Sequence, residues 1–138
     1  MTENISKYIT HDEYACHCCG SLPPDLYTSI AYKKFFSIFD SLRESWGKPI
    51  RVSGFRCWDR NAAVGGGPQS VHLFGLALDC DCKDVDETLR LESHILERAP
   101  YLRIGVYTVS GTFIHIDSGY SINPRAVHEW RRGARWTG

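Results

Sequence analysis

Two short segments, 75–82 and 112–117, constrain this chain more than any other feature, because each alternates apolar with polar or small residues at period two. In a β-strand, successive side chains point to opposite faces. Leu76 and Leu78 then share one face, with Gly75, Ala77, Asp79 and Asp81 on the other. Ile114 and Ile116 likewise oppose Phe113, His115 and Asp117. Laying the two segments side by side buries Leu and Ile and lines a cleft with the polar set. Asp79 and His115 can then meet. His72 is too far from Asp79 in sequence to share one helical turn, so it must arrive from a loop, and Gly75 allows the bend. Two imidazoles and one carboxylate are the ligand set of a catalytic zinc site that keeps a coordination position for water.

The flanking sequence predicts a helix from Pro24 to Trp46, with Leu26, Ile30, Phe35, Phe39, Leu42 and Trp46 as its apolar stripe. Pro23-Pro24 suits its entry, and Gly47 followed by Pro49 its end. A strand at Ile50 to Gly54, a short helix at Asp59 to Val64 and the loop Gly65-Gly66-Gly67-Pro68 follow. After the strand Gly75 to Cys82, a second helix is predicted at Val85 to Arg98. Asp84 and Glu87 stand at capping-box spacing, and Val85, Leu89, Leu96 and Ala99 form its apolar side. Strands at Arg103 to Thr108 and Thr112 to Asp117 join through a turn at Ser110-Gly111. The class is α+β: a small, mainly antiparallel sheet with helices packed on one face.

At 138 residues one domain is expected, with residues 1–11 as an N-terminal extension and 123–138 as a basic C-terminal tail. Sixteen basic residues balance sixteen acidic ones, which leaves no net field to favour nucleic acid or anionic membrane. No apolar run approaches the roughly 20 residues that span a bilayer. The start, Met1-Thr2-Glu3-Asn4, has neither a basic nor an apolar leader segment, so synthesis in the cytoplasm without a signal peptide is expected.

The six cysteines are expected as reduced thiols. Cys16, Cys18 and Cys19, with His17 between, form a dense cluster that could hold a second, structural zinc, with Cys57 as a further ligand. The spacing is not the usual pair of Cys-x-x-Cys hooks, so buried thiols are the favoured reading. Cys80 and Cys82 should face the apolar side of their strand. His11, His17, His94 and His128 are expected at the surface or in structural roles. Arg125, Arg131, Arg132 and Arg135, interleaved with Trp130 and Trp136, could bind an anionic polymer, but read more simply as a solvated end.

Ser70-x-His72-x-x-Gly75-x-Ala77-x-Asp79 with a later His115-x-Asp117 resembles the M15 group of zinc peptidases. That group comprises the D-alanyl-D-alanine carboxypeptidases and related peptidoglycan endopeptidases, phage endolysins included. Ile50-Arg51-Val52-Ser53-Gly54-Phe55-Arg56, then Asn61 and Val64-Gly65-Gly66, resembles the group's Ser-Gly-Tyr-Arg segment and its glycine-rich sequel. The similarity runs from about Asp12 to Trp130.

The resemblance implies a hedgehog/D-Ala-D-Ala peptidase-like fold and one catalytic zinc on His72, Asp79 and His115. Gly75 and Ala77 should leave room beside these for a peptide. Arg56 matches the arginine that stabilises substrate, by clamping a carboxylate or supporting an oxyanion; the simpler alternative is a strand-end salt bridge. Ser70 either bonds the metal site and substrate or orders the loop. The acidic residue that much of the group carries three positions before the last histidine is here Thr112, which cannot act as a base. Asp117 is the expected replacement, with Asp81 a poorer one; alternatively, Asp117 fixes a histidine tautomer. Trp130 should pack against the domain.

The expected activity is zinc-dependent cleavage of peptidoglycan stem peptides by a monomer, more as a lytic endopeptidase than a carboxypeptidase. It would act on the bacterial wall in phage lysis or from a virion. A zinc-containing wall- or protein-binding module without turnover is the alternative. A metal-dependent nucleic-acid adaptor is disfavoured by the neutral net charge.

Overall fold

The computed structural model describes residues 3–67, 70–122 and 132–138. The chain runs through α1 (His11–Tyr14), α2 (Ile30–Trp46), β1 (Val52–Ser53), α3 (Trp58–Ala63), β2 (Ala77–Asp81), α4 (Val85–Arg98), β3 (Arg103–Tyr107), β4 (Phe113–Asp117) and β5 (Arg135–Thr137). Single 3-10 turns stand at Val71–Phe74 and Gly119–Ser121. The strands form one sheet in the order β1-β2-β4-β3-β5, antiparallel throughout except that β5 runs parallel to β3. The α+β class is as expected; the sheet is mixed. Among the described residues, no helix is long and apolar enough to cross a membrane.

α2 begins six residues later than the apolar spacing suggests. Residues 24–28 form turns, with Leu26 and Ser29 bonded back to Pro23 and Asp25. The Ser29 side chain then accepts from the Ala31 N–H and opens the helix. Gly47 ends it at φ 83°, a left-handed conformation that costs glycine little. The buried stripe is Tyr32, Phe35, Phe36, Phe39 and Leu42, whereas Ile30 is exposed.

α4 has the predicted limits but a rotated face: Thr88, Leu91 and Ile95 are buried, while Val85 and Leu89 stand about half exposed. Asp84 caps the Glu87 N–H. The Glu87 carboxylate turns to Lys83 N and Lys48 Nζ, so the capping box is not closed on Asp84. α4 lies on β3 and β4, and α2 packs against α4. Their buried side chains merge with Leu78, Cys80, Ile104, Val106, Ile114 and Ile116 in one core. The strand alternation thus sends Leu and Ile inward as predicted.

Described residues near both ends of the chain make tertiary contacts. The Asp40 carboxylate on α2 accepts from Ser6 Oγ, Lys7 N and Tyr8 N at 3.0–3.1 Å, and Ile9 is fully buried. Thr10 and Glu13 form a reciprocal capping box on α1, and Glu13 also accepts from Val52 N of β1. At the other end, Arg135–Thr137 adds to the sheet as β5. The Arg132 guanidinium sits over the Tyr101 and Tyr120 rings. The placement expected for Trp130, and the residues Arg125, His128 and Arg131, lie outside the described residues.

Candidate metal centre

Ser70 starts the turn that carries His72: its Oγ accepts from His72 N at 3.3 Å. Gly75 closes the turn at φ 78°, its N–H bonding to the His72 carbonyl. A Cβ at Gly75 would lie 2.4 Å from the Tyr14 hydroxyl and 2.6 Å from Pro23. Gly75 is therefore packed beneath the site, and Ala77 is fully buried. Neither opens the space for substrate that their size suggested.

β2 and β4 pair so that Asp79 stands directly opposite His115. Asp79 Oδ1 lies 3.2 Å from His72 Nε2 and 3.1 Å from His115 Nδ1, and the two nitrogens are 3.2 Å apart. A tetrahedral zinc with bonds of about 2.0–2.1 Å requires ligand atoms about 3.3 Å apart. The three atoms fit that demand. Each imidazole is anchored through its other nitrogen: His72 Nδ1 lies 2.7 Å from the Gly54 carbonyl oxygen, and His115 Nε2 lies 2.6 Å from Asp117 Oδ2. A carbonyl and a carboxylate only accept, so both outer nitrogens carry a proton, and the inner nitrogens face one point.

Burial and charge divide the protons. Burial pushes Asp79 up, but its close contacts with His115 and His72 outweigh it and hold the carboxyl well below the usual range. Burial also lowers His115, yet Asp117 and Asp79 together raise it to about 9. For His72, burial dominates and keeps the ring neutral, against the pull of Asp79.

Arg56 Nη2 reaches the second Asp79 oxygen at 3.2 Å, and Nη1 reaches Asn61 Oδ1 at 3.2 Å. Asn61, buried on α3, donates in turn to the Gly67 carbonyl. A Cβ at Gly66 would lie 2.1 Å from Asn61 Oδ1, so the glycine-rich loop can close over Arg56 only without a side chain there. Arg56 therefore makes a salt bridge while lining the cavity.

Asp117 is fully buried and has both oxygens engaged. Oδ2 takes His115; Oδ1 accepts from Gly119 N at 2.8 Å and lies 2.9 Å from Arg103 Nε in an ion pair poorly aligned for hydrogen bonding. It meets the side of His115 that faces away from Asp79. The carboxylate is placed to fix the tautomer of His115. Thr112 donates to the Cys82 carbonyl, and Asp81 pairs with Phe113 farther along the sheet; neither lines the cavity.

The cluster forms the floor of a cavity of about 690 Å³. Its opposite wall comes from residues that the strand analysis passed over. Gly105 pairs with His115 and Arg103 with Asp117, so Arg103, Gly105 and Tyr107 share the ligand face of the sheet. Alternation on β3 could have identified them. Trp136 of β5 lies over Gly105, where a Cβ would meet the indole at 2.4 Å; its Nε1 donates to Tyr107 Oη at 2.8 Å. Its ring stands 5.3 Å from His115.

A mixed α+β sheet that presents two histidines and an aspartate on a cavity floor, each held by a further polar partner, has the construction of a metal-dependent hydrolase. Residues 7–117 match the family model described as Peptidase M15, and the chain belongs to that family of zinc-dependent peptidases. A comparison with curated proteins gives no match.

Proposed function

We propose that this chain is a zinc peptidase that cuts peptidoglycan stem peptides within the bacterial wall, as an endopeptidase. The observation that carries the reading is the convergence of His72 Nε2, Asp79 Oδ1 and His115 Nδ1 on a cavity floor in a chain of this family. A zinc ion held there supplies Lewis acidity and brings the pKa of water towards neutrality. The Gly54 carbonyl and Asp117 hold the outer nitrogens of the two rings, so that the inner nitrogens face the site. Asp117 thus acts as a positioning residue. Arg56 fixes the second oxygen of Asp79 and presents its guanidinium to the developing oxyanion. Ser70 orders the turn that delivers His72.

Arg103 is buried, lines the cavity and has an Nη1 without a hydrogen-bond partner among the described residues. Its guanidinium is held between Asp117 and the Trp136 ring at the edge of the site. A cavity of about 690 Å³ is of the size that encloses a whole small-molecule ligand, more than a terminal D-alanine needs, which favours binding on both sides of the scissile bond. Mass spectrometry of wall fragments after digestion tests the reading: new amino termini within stem or cross-link peptides are expected. Zinc retention with no cleavage of any wall preparation would favour the binding-module alternative, which the placement of Thr112 supports.

The proton on His115 gives this reading a pH signature. Its folded pKa, about 9, lies above the unfolded value near 6.5, so its stabilising contribution is complete below about 6.5 and is lost as pH rises through about 9. Metal-free protein should therefore melt progressively lower across that window. Zinc must displace the same proton, so the melting increment on adding zinc should grow over the same range. Thermal scans with and without zinc check both trends; an increment that does not vary with pH would contradict them.

A further inference from the structure

Where the end of β1 passes the loop after α1, four thiols converge. The sulfurs of Cys16, Cys18, Cys19 and Cys57 all lie within 4.8 Å of one another, and those of Cys18 and Cys57 are 3.7 Å apart. A tetrahedral zinc tetrathiolate, with bonds of about 2.3 Å, has sulfurs about 3.8 Å apart. We propose that these four cysteines bind a structural zinc ion, separate from the His72–Asp79–His115 centre. Sequence spacing disfavoured such a site because the cluster is not a pair of Cys-x-x-Cys hooks, but the fold brings Cys57, the further ligand considered, to the other three.

The chain brings Cys57 in by ordinary backbone pairing. Phe55 N donates to the Tyr14 carbonyl at 2.8 Å, which seats the segment after β1 against the residue just ahead of Ala15 and Cys16. The loop itself is closed by Gly20 N to Cys16 O at 2.7 Å and Cys16 N to Ser21 O at 3.0 Å, with Gly20 at φ 72°. His17 Nε2 lies 3.1 Å from the Glu13 carbonyl oxygen, so its ring is turned back onto α1, and the ligand set is sulfur only.

Backbone N–H groups face these sulfurs, as thiolate ligands require. Cys57 N lies 3.4 Å from Cys16 Sγ, and the Cys18 and Cys19 amides are also directed at it; Arg60 N lies 3.4 Å from Cys57 Sγ. Four sulfurs on a borderline-soft cation leave no corner for water. The ion therefore has a structural role, in contrast to the three-ligand centre. That role has a clear object. Cys57 follows Arg56 and caps α3, which carries Asn61, so a metal here staples the N-terminal loop to the segment that aims Arg56 at Asp79.

Native mass spectrometry of the full chain, purified from zinc-supplemented cells, should find about two zinc ions per molecule. The Asp79→Ala/His115→Ala variant should keep one. Exchanged for cobalt, that remaining ion should show intense thiolate-to-cobalt charge-transfer absorption. Cys18→Ser/Cys57→Ser should lose this ion while the other centre still binds. Because that variant could fail to fold, alkylation of the wild-type chain provides a second measure: all four thiols should be protected from iodoacetamide until a chelator is added. An Asp79→Ala/His115→Ala variant that holds no zinc, or prompt alkylation of the four thiols before chelation, would overturn the assignment. So would a chain two hydrogens lighter with Cys18 cross-linked to Cys57.

Discussion

Asp79→Ala is expected to abolish metal binding at the histidine–aspartate centre and to lower peptide hydrolysis by on the order of a thousandfold or more. A bound ion contributes several kcal/mol of transition-state stabilisation, and each ~1.4 kcal/mol is a factor of ten. Asp79 stands at the junction of the site. Oδ1 faces both imidazole nitrogens, and Oδ2 holds Arg56. Removing the carboxylate takes away one ligand and the anchor of the guanidinium together. Metal content by atomic spectroscopy, measured beside turnover on wall fragments, separates the two effects. Asp79→Asn keeps the shape but loses the charge, and should bind metal far more weakly than wild type. A metal-replete, active Asp79→Ala protein would remove the basis for the proposed chemistry.

Asp117→Ala should damage both stability and the site. It strips the counter-charge from Arg103, whose side chain is buried, and leaves Gly119 N and His115 Nε2 without their acceptor. Breaking one side of a buried ion pair costs about 3–5 kcal/mol. Loss of the carboxylate behind a ligand histidine lowers metal affinity by about 10–100-fold. Urea denaturation measures the first and competition with a chelating dye the second. The same variant also separates the two roles considered for Asp117. If it positions His115, excess zinc should restore much of kcat; if it is the base, kcat should stay low at full occupancy.

How much of this was legible in the sequence depends on the range of the forces involved. The Leu/Ile and His/Asp alternation of β2 and β4 placed Asp79 beside His115, because a strand with one buried face has little freedom of register. His72 followed from the glycine that ends its turn. For Asp117 the sequence offered two roles, base and tautomer-fixing partner, and could not choose, since spacing does not reveal which imidazole nitrogen faces inward. Trp136 escaped because β5 joins the sheet through a parallel, long-range pairing, and no local pattern marks such a contact. The face of α4 was misread only in its first half, where Val85 and Leu89 satisfy helical periodicity as well as Leu91 and Ile95 do; Leu96 and Ala99 pack on the core as predicted. Only packing against β3 and β4 decides between them. Cys57 met the other thiols through the bond between Phe55 and Tyr14, which is equally invisible in the sequence.

The seating of the Trp136 indole on the bare backbone of Gly105 has a consequence for how such a protein can diversify. The side chains proposed to hold the ion come from β2, β4 and the turn before β2, whereas the aromatic wall of Tyr107 and Trp136 comes from β3 and β5 on one side of them. On the proposed function, exchanging Tyr107 and Trp136 while keeping Arg103, which pairs with Asp117 behind His115, would reshape which bond fits the cleft and leave the cation's side chains in place. Selectivity and reactivity would then rest on different side chains of one sheet.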